Sequence, residues 1–173
     1  MKKIVLFMFA IAVSAQVFSQ AQSSEVTSKN SWLKVGLNAG VPFGDLGDVS
    51  TFTLGAELKG QLMETNHWGI GLTTGYNHFF PKSGFSSFGT IPLGAFVRYY
   101  PKSTGFFAGL DLGYSFITGV PDATGGLYAR PQIGYHNYKW NFFGFYNGIF
   151  RNNDNGGNLQ YAGIGATYNI HFR

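Results

Sequence analysis

The residues that could support acyl-transfer chemistry are one histidine and three serines that lie close together in the sequence. His78 is followed by Ser83, Ser86 and Ser87, and a hydroxyl nucleophile beside a histidine base is the pattern that such catalysis uses. No carboxylate lies in the same stretch, and the candidate acids come from other segments, at Asp45, Asp48 and Asp122. Because no motif orders these residues, the pattern is more typical of a serine-rich loop, and we predict that the protein is not an enzyme.

Residues that could bind a metal ion show no ligand spacing. The chain has no cysteine, and its four histidines are scattered, at His67, His78, His136 and His171. The segment 151–158, Arg-Asn-Asn-Asp-Asn-Gly-Gly-Asn, contains a single carboxylate and lacks the spaced acids and closing Glu of a calcium loop. We therefore predict neither a metal site nor a cofactor.

Charged residues inside the apolar stretches share one parity of the alternating pattern. They are Lys34, Glu57, Lys59, Arg98, Asp111 and Arg130. In strands, alternate side chains point to opposite faces, so these four cations and two anions are expected on the face opposite the Leu, Val and Ala residues. If the sheet closes into a barrel, they form a charge cluster in its interior, where unpaired charges are costly and should pair.

This predicted interior admits two interpretations. It could be a selective channel or a polar ligand site, and the excess of two cations would favour an anion. It could instead be filled by salt bridges, because eight strands enclose a space just wide enough for side chains to fill. The second interpretation agrees better with the size of the barrel.

The elements that carry these residues are predicted to be strands with a period of two. In the segment from Trp68 to Tyr76 the even positions are large and apolar except for Thr74, while the odd positions are Gly or Thr. The predicted strands are Trp32–Val41, Thr51–Leu62, Trp68–Phe79, Phe88–Tyr100, Phe106–Phe116, Gly126–Tyr135, Trp140–Phe150 and Leu159–Phe172. Their length suits tilted strands that cross a bilayer, and the fold predicted is an all-β, eight-stranded, antiparallel, up-and-down transmembrane β-barrel.

Two strands contain features that fit this pattern poorly. Pro92 and Pro131 lie inside predicted strands, where each removes a ladder hydrogen bond, and we expect bulges or strand edges to accommodate them. The seventh strand, with Asn141-Phe-Phe-Gly-Phe-Tyr-Asn147, does not favour either parity.

Aromatic residues are predicted to form belts at the two ends of the barrel. One belt, an aromatic girdle on the periplasmic side, comprises Trp32, Trp68, Tyr99, Phe106, Tyr135 and Trp140. The opposite rim would carry Phe52, Phe79, Phe88, Phe116, Tyr128, Phe150 and Tyr161. The predicted connections on the girdle side are short and those on the other side are longer, up to about nine residues, which places both chain ends in the periplasm.

Composition supports a membrane barrel over a soluble domain. Charged residues make up 12% and aromatics 18% of 173 residues, with 25 Gly and a mean hydropathy near zero, whereas a soluble domain is about 25% charged. Removing Lys2 and Lys3 with a signal peptide lowers the basic count from 12 to 10 against 8 acids, a net charge of +2. Those charges form no basic stripe, so we predict no nucleic-acid partner.

The N-terminus has the features of a cleavable signal peptide. Lys2 and Lys3 precede the apolar run Ile4–Val13, and small residues permit cleavage after Ala15 or Ala21. We therefore predict a signal peptide over 1–21, a short periplasmic segment over 22–31 and the barrel over 32–173.

Several motifs resemble a known family. The signal ending in Ala-Gln, the opener Lys34-Val-Gly-Leu-Asn-Ala-Gly40 and the segment Ile91-Pro-Leu-Gly-Ala-Phe-Val-Arg-Tyr-Tyr100 are similar to the small outer-membrane β-barrels common in Bacteroidota, which resemble OmpA-type and OmpX-type barrels. The resemblance implies insertion by the outer-membrane assembly machinery, which reads an aromatic-ended last strand. Tyr168, Ile170 and Phe172 would supply that assembly signal, although Arg173 follows the final aromatic.

Together these observations predict a monomeric, non-enzymatic protein of the bacterial outer membrane with a structural or surface-interaction role. Its partners would be outer-membrane lipid and lipopolysaccharide, with the assembly machinery during biogenesis. One alternative is small-solute or anion binding or transport through the cationic lumen. Another is a soluble lipocalin-like carrier, which requires an apolar interior and a charged exterior.

Overall fold

A computed structural model describes residues 32–64, 67–151 and 157–171. It contains eight strands: β1 (Trp32–Phe43), β2 (Ser50–Glu64), β3 (Trp68–Pro81), β4 (Phe88–Tyr99), β5 (Gly105–Thr118), β6 (Gly126–His136), β7 (Trp140–Phe150) and β8 (Leu159–His171). One short helix, α1 (Asp45–Val49), joins β1 to β2. The predicted signal peptide and the segment 22–31 lie outside the described residues, as does Phe172.

Each strand pairs antiparallel with its neighbour in sequence, and β1 pairs with β8, so the sheet is a closed barrel. This confirms the predicted eight-stranded, antiparallel, up-and-down fold. Closure leaves no unpaired sheet edge, which is how a strand protein satisfies its backbone polar groups without water. The strands alternate polarity with a period of two, so one face of every strand points inward and the other outward.

Most strands extend further than the sequence pattern predicts. The second strand runs from Ser50 to Glu64 instead of Thr51 to Leu62, and the third continues to Pro81 instead of Phe79. The sequence predicts a loop after β1, but this connection contains α1, whose Leu46 is buried. In the helix sequence Asp-Leu-Gly-Asp-Val, only Leu46 and Val49 are strongly apolar. A helix this short is unstable by itself, and the burial of Leu46 beneath the β1–β2 connection supplies the tertiary contact that it needs.

The barrel has two distinguishable ends. We call the end that carries the β2–β3, β4–β5 and β6–β7 connections the turn end, and the end that carries the other four connections the loop end. Both described chain ends lie at the turn end, because eight is an even number of strands.

The two prolines inside strands are accommodated by neither the bulges nor the strand edges that the sequence predicts. Pro92 pairs in register with Ser115 of β5, while the pairing of β4 with β3 stops at Leu93 and resumes at Thr90 without a register shift. Thr74 supplies a substitute bond there, since its hydroxyl donates to the Pro92 carbonyl at 2.9 Å. This bond also explains why Thr74 interrupts the apolar alternation of β3.

Pro131 behaves in the same way as Pro92. It pairs with Leu110 of β5, and the pairing of β6 with β7 is interrupted from Ala129 to Gln132 with the register kept. Both prolines therefore lie where the pairing with one of the two neighbouring strands is interrupted, and neither lies at a bulge or at a sheet edge. The register shifts that do occur are in β2–β3, between Ser50 and Phe52 and between Gln61 and Met63.

The structure also assigns a parity to β7. Its inward side chains are Asn141, Phe143, Phe145, Asn147 and Ile149, which are all buried. Trp140, Phe142 and Phe150 point outward. Aromatic residues occur on both faces of this strand, which is why its sequence favours neither, and pairing with β6 and β8 decides the orientation.

Candidate functional site

The six charged residues predicted to line the lumen are all buried inside the barrel. Lys34, Glu57, Lys59, Arg98, Asp111 and Arg130 are each at most 6% exposed. They come from β1, β2, β4, β5 and β6, where each occupies an inward position of the alternation. The burial of six charged side chains requires specific partners, because the removal of each charge from water costs on the order of several kcal/mol.

Four of the six form two ion pairs across the lumen. Lys59 Nζ lies 2.5 Å from Asp111 Oδ2, and Arg130 Nη1 lies 2.8 Å from Glu57 Oε2. Gln132 extends the first pair, since its Nε2 donates to Asp111 Oδ1 at 2.8 Å. The partners are up to 73 residues apart in sequence, so only closure of the barrel brings them together.

Arg98 is held by a side-chain amide and by aromatic rings. Its Nη2 donates to Gln132 Oε1 at 3.0 Å, so one glutamine links this arginine to Asp111. The guanidinium carbon lies 4.9 Å from the centre of the Phe107 ring and 5.7 Å from that of Phe143. Desolvated cation–π contacts of this kind stabilise a buried guanidinium by about 2 kcal/mol or more.

Arg130 and Lys34 also lie against aromatic rings. The Arg130 guanidinium carbon is 3.8 Å from the centre of the Phe145 ring. Lys34 Nζ donates to Asn169 Oδ1 at 3.3 Å and to the Tyr100 hydroxyl at 3.4 Å. The lumen is therefore a mixed layer of charges, amides and aromatic rings, and charged side chains fill only part of it.

The aromatic residues inside the barrel correct the predicted outer belt. Phe79, Tyr128 and Tyr161, assigned to the opposite rim, point inward and are at most 4% exposed. They occupy inward positions near the ends of their strands. The distance of a residue from the strand end predicts that it lies near a rim, but it does not predict whether its side chain points inward or outward. Phe52, Phe116 and Phe150 do point outward, and Phe88 is half-buried against Phe79.

Both ends of the lumen are closed by packed side chains. At the turn end, Asn141 Nδ2 donates to Asn169 Oδ1 at 2.7 Å and to Thr167 Oγ1 at 3.1 Å. At the loop end an apolar cluster covers the charged layer, with Leu46, Phe79, Ile149, Leu159 and Tyr161 in contact. A layered interior of this kind separates the charges from water at both ends.

One small interior cavity adjoins the charged layer. It measures about 10 Å³ and is bordered by Glu57, Thr73, Asn77, Tyr128 and Arg130. That volume is about one water-sized probe. Glu57 Oε1, Asn77 Oδ1 and the Tyr128 hydroxyl, which border it, are buried without a hydrogen-bond partner in the described protein, so the cavity suits a single water molecule and is too small for an organic ligand.

The residues of the predicted girdle point outward at the turn end. Trp68, Tyr99, Phe106, Tyr135 and Trp140 are between 40% and 73% exposed. They meet in cross-strand pairs: the ring centres of Trp68 and Tyr99 are 4.9 Å apart, and those of Phe106 and Tyr135 are 6.1 Å apart. Trp32 belongs to β1, but its side chain lies outside the described residues.

Two residues of the predicted assembly signal, Tyr168 and Ile170, lie on β8, and the third, Phe172, lies outside the described residues. Tyr168 is exposed on the outer face, and its ring is 5.0 Å from that of Trp140. Ile170 follows on the same face at intermediate exposure.

The residues considered for catalysis do not assemble. His78 points outward with its Nδ1 3.3 Å from the Tyr76 hydroxyl and its ring edge-on to Phe80. It belongs to the outer wall, whereas Ser83, Ser86 and Ser87 lie in the following loop. Within the described ranges no group of three His, Cys, Asp or Glu residues could hold a metal ion. In the same ranges no helix has the length and apolarity to cross a membrane.

Comparison with known proteins identifies similar folds only. No protein-family model matches the chain, and no curated protein matches it in sequence. Its fold is similar to that of the N-terminal β-barrel domain of Pseudomonas aeruginosa OprF, with a TM-score of 0.52 and 15% identity over 82% of this chain and 98% of that one. It is also similar to a barrel from the de novo design of transmembrane β-barrels, with a TM-score of 0.50 and 18% identity over 80% of this chain and 95% of the designed one. The chain is thus an eight-stranded barrel of the type found in transmembrane barrels.

Proposed function

We propose that this protein is an integral β-barrel of the bacterial outer membrane with a structural or surface-interaction role and no enzymatic activity. The observation that carries the proposal is the inverted polarity of the barrel. Leu37, Leu72, Ile133 and Ile164 point outward and are at least 57% exposed, while six charged side chains are buried within. An exterior of this kind is stable in hydrocarbon and would be an aggregation hazard in water.

The orientation proposed in the membrane follows from the aromatic girdle and the connections. Trp and Tyr favour the interface between lipid and water, and short turns face the periplasm in bacterial barrels. The turn end would therefore be periplasmic and the loop end external. Export by the signal peptide over 1–21, contact with lipid and lipopolysaccharide, and a monomeric state belong to the same proposal.

The first test is gel mobility of the outer-membrane fraction in SDS, boiled against unboiled. We expect a faster unboiled band in that fraction, because a closed barrel that resists SDS stays compact. A soluble periplasmic protein without a mobility shift would contradict the membrane location and favour the carrier alternative. That alternative is opposed by the buried charges, since a carrier for apolar ligands needs an apolar interior.

Anion binding or transport through the lumen is a second candidate function. It is favoured by the excess of two cations among the six buried charges. It is opposed by the closure of both ends and by an interior cavity of only about 10 Å³. We expect no conductance from the refolded protein in planar bilayers, and a stable chloride current would instead favour anion transport through the lumen.

Assembly through the last strand is proposed from its sequence pattern. We expect Phe172→Ala and Tyr168→Ser to slow the appearance of the compact band, with Thr167→Ser on the inward face as the matched control. Equal assembly rates for all three variants and the unaltered protein would contradict the assigned signal.

The resemblance to the Bacteroidota-type barrels remains part of the proposal. It is supported by the shared motifs in β1 and β4 and by the same barrel architecture. It would add a bacterial group to the location but no active-site residues.

A further inference from the structure

A cavity at the loop end carries an inference beyond the proposed function. It measures about 640 Å³ and is bordered by residues from all four connections at that end. Ligand sites typically have volumes of about 300–1,000 Å³ and often occupy the mouths of β-barrels. The cavity lies above the apolar cluster that closes the lumen, so it is separate from the buried charges.

Hydrogen bonds hold the walls of this cavity in place. The Lys82 amide donates to the Val49 carbonyl at 2.9 Å, so the β3–β4 connection is bonded to α1. Arg151 Nε donates to the Gly157 carbonyl at 2.9 Å within the β7–β8 connection. Leu46 of α1 is fully buried and anchors the β1–β2 connection. A site built on anchored connections is largely formed before a ligand arrives, which lowers the entropy lost on binding.

The surface of the cavity is mostly apolar although it opens to solvent. Val49, Phe88 and Ile117 form the lower wall, and Phe85 and Val120 stand at the rim, 52% and 45% exposed. A contiguous apolar surface that opens to solvent often marks a ligand-binding groove. A lining of this kind suits a ligand with an apolar body.

The charges on the lining select the polar part of that ligand. Asp45 is an exposed carboxylate on the β1–β2 connection, and Asp122 is one on the β5–β6 connection. Arg151 is the one cationic lining residue in the described part of the chain. Its Nε is already engaged with Gly157. We propose that the cavity binds small amphipathic cations, with the apolar body on Phe85, Phe88 and Val120 and an ammonium group near Asp45 and Asp122.

The test uses three water-soluble probes that share a phenyl ring on a short alkyl chain and differ in charge: 4-phenylbutylammonium, 4-phenylbutanol and 4-phenylbutyrate. The full-length mature protein is refolded into lipid nanodiscs, and its loop amide signals are followed by NMR during titration. We expect the amides of the four connections to shift, with the ammonium probe bound about two- to fivefold more tightly than the alcohol. That ratio corresponds to an exposed ion pair of up to about 1 kcal/mol. The butyrate should bind most weakly.

Variants separate the two parts of the recognition. Asp45→Asn with Asp122→Asn should abolish the preference for the ammonium probe over the alcohol, while Asp48→Asn, an exposed acid on α1 outside the lining, should preserve it. Phe85→Ser with Val120→Ser should weaken all three probes. The heat-shifted gel band confirms that each variant is folded.

The outcomes distinguish this inference from the proposed function. A folded barrel whose loop amides do not shift at millimolar probe concentrations would overturn the inference and leave the membrane location untouched. The inference would also fail if butyrate bound best, or if Asp48→Asn and the double aspartate variant had equal effects. Failure of the gel-mobility test would instead count against the membrane location alone.

Discussion

At the residue scale, stability depends on matched pairs inside the lumen. The Arg130–Glu57 pair shares a 2.8 Å contact in a fully enclosed site, and Arg130 also lies on Phe145. Neither charge could be buried alone at acceptable cost, because the removal of one partner leaves the other desolvated and unpaired. The pair acts as a unit.

We expect Arg130→Met to destabilise the barrel by about 3–5 kcal/mol, because it leaves the Glu57 carboxylate buried without its partner. The double variant Glu57→Gln, Arg130→Met should lose much less. Urea unfolding in lipid vesicles, arranged as a double-mutant cycle, measures the coupling. If the two single losses simply add up in the double variant, the pair does not act as a unit.

A glycine beside an inward ring provides a second residue-scale prediction. A Cβ atom at Gly165 would lie 2.6 Å from Phe143 Cζ, whereas a Cβ atom at Gly144 would meet nothing closer than 3.9 Å. We expect Gly165→Ala to destabilise the barrel by about 1–3 kcal/mol through overpacking, and Gly144→Ala to have little effect. Unfolding midpoints of the two variants measure this. Phe143→Leu should partly rescue Gly165→Ala, and the absence of rescue would show that the ring is not the obstacle.

At the element scale, β7 shows how neighbours decide the orientation of a strand. Aromatic residues occur at both parities of its sequence, so period-two analysis favours neither face. Register with β6 and β8 places Phe143 and Phe145 inward, beside the guanidinium groups of Arg98 and Arg130. A slip of one residue would move those rings to the outer face of the barrel and remove the cation–π contacts.

Because the chain has no cysteine, single-cysteine variants can report this orientation. We expect Phe142→Cys and Tyr146→Cys in the folded barrel to react with a membrane-soluble maleimide. Phe143→Cys and Asn147→Cys should react only after boiling. Labelling followed by mass spectrometry measures the contrast, and equal reactivity of the odd and even positions would contradict the observed register.

At the scale of the whole molecule, the distribution of polarity is the inverse of that of a soluble protein. Leu112 points outward next to Asp111, which points into the centre of the charged layer. The same inversion holds on all eight strands, so the outer face of the barrel as a whole suits an apolar solvent. This requirement links the fold to the proposed membrane location.

We expect Leu112→Arg to destabilise the lipid-embedded barrel by about 2–4 kcal/mol, the range for a charge near the bilayer midplane. Tyr138→Arg, in an exposed turn between β6 and β7, is the matched control and should change stability little. Unfolding in vesicles by urea compares the two. If Leu112→Arg were neutral or improved solubility without lipid, the outer wall would face water and the proposed location would be wrong.

The sequence by itself determined where the strands lie, how many there are and which face of most of them is polar. These properties are local, since a period of two and turn residues such as Gly and Pro are readable within each segment. The inward positions of Lys34, Lys59 and Asp111 follow from that parity alone.

The tertiary structure decided what depends on contacts between distant segments. The partner that each cation takes, the orientation of β7, the gaps that accommodate Pro92 and Pro131, and the formation of α1 all follow from closure of the barrel. The inward orientation of the Phe79 and Tyr161 side chains and the cavity between the four loop-end connections also depend on contacts between distant segments. Such features depend on register and on long-range packing, and neither is encoded in the spacing of residues along one strand.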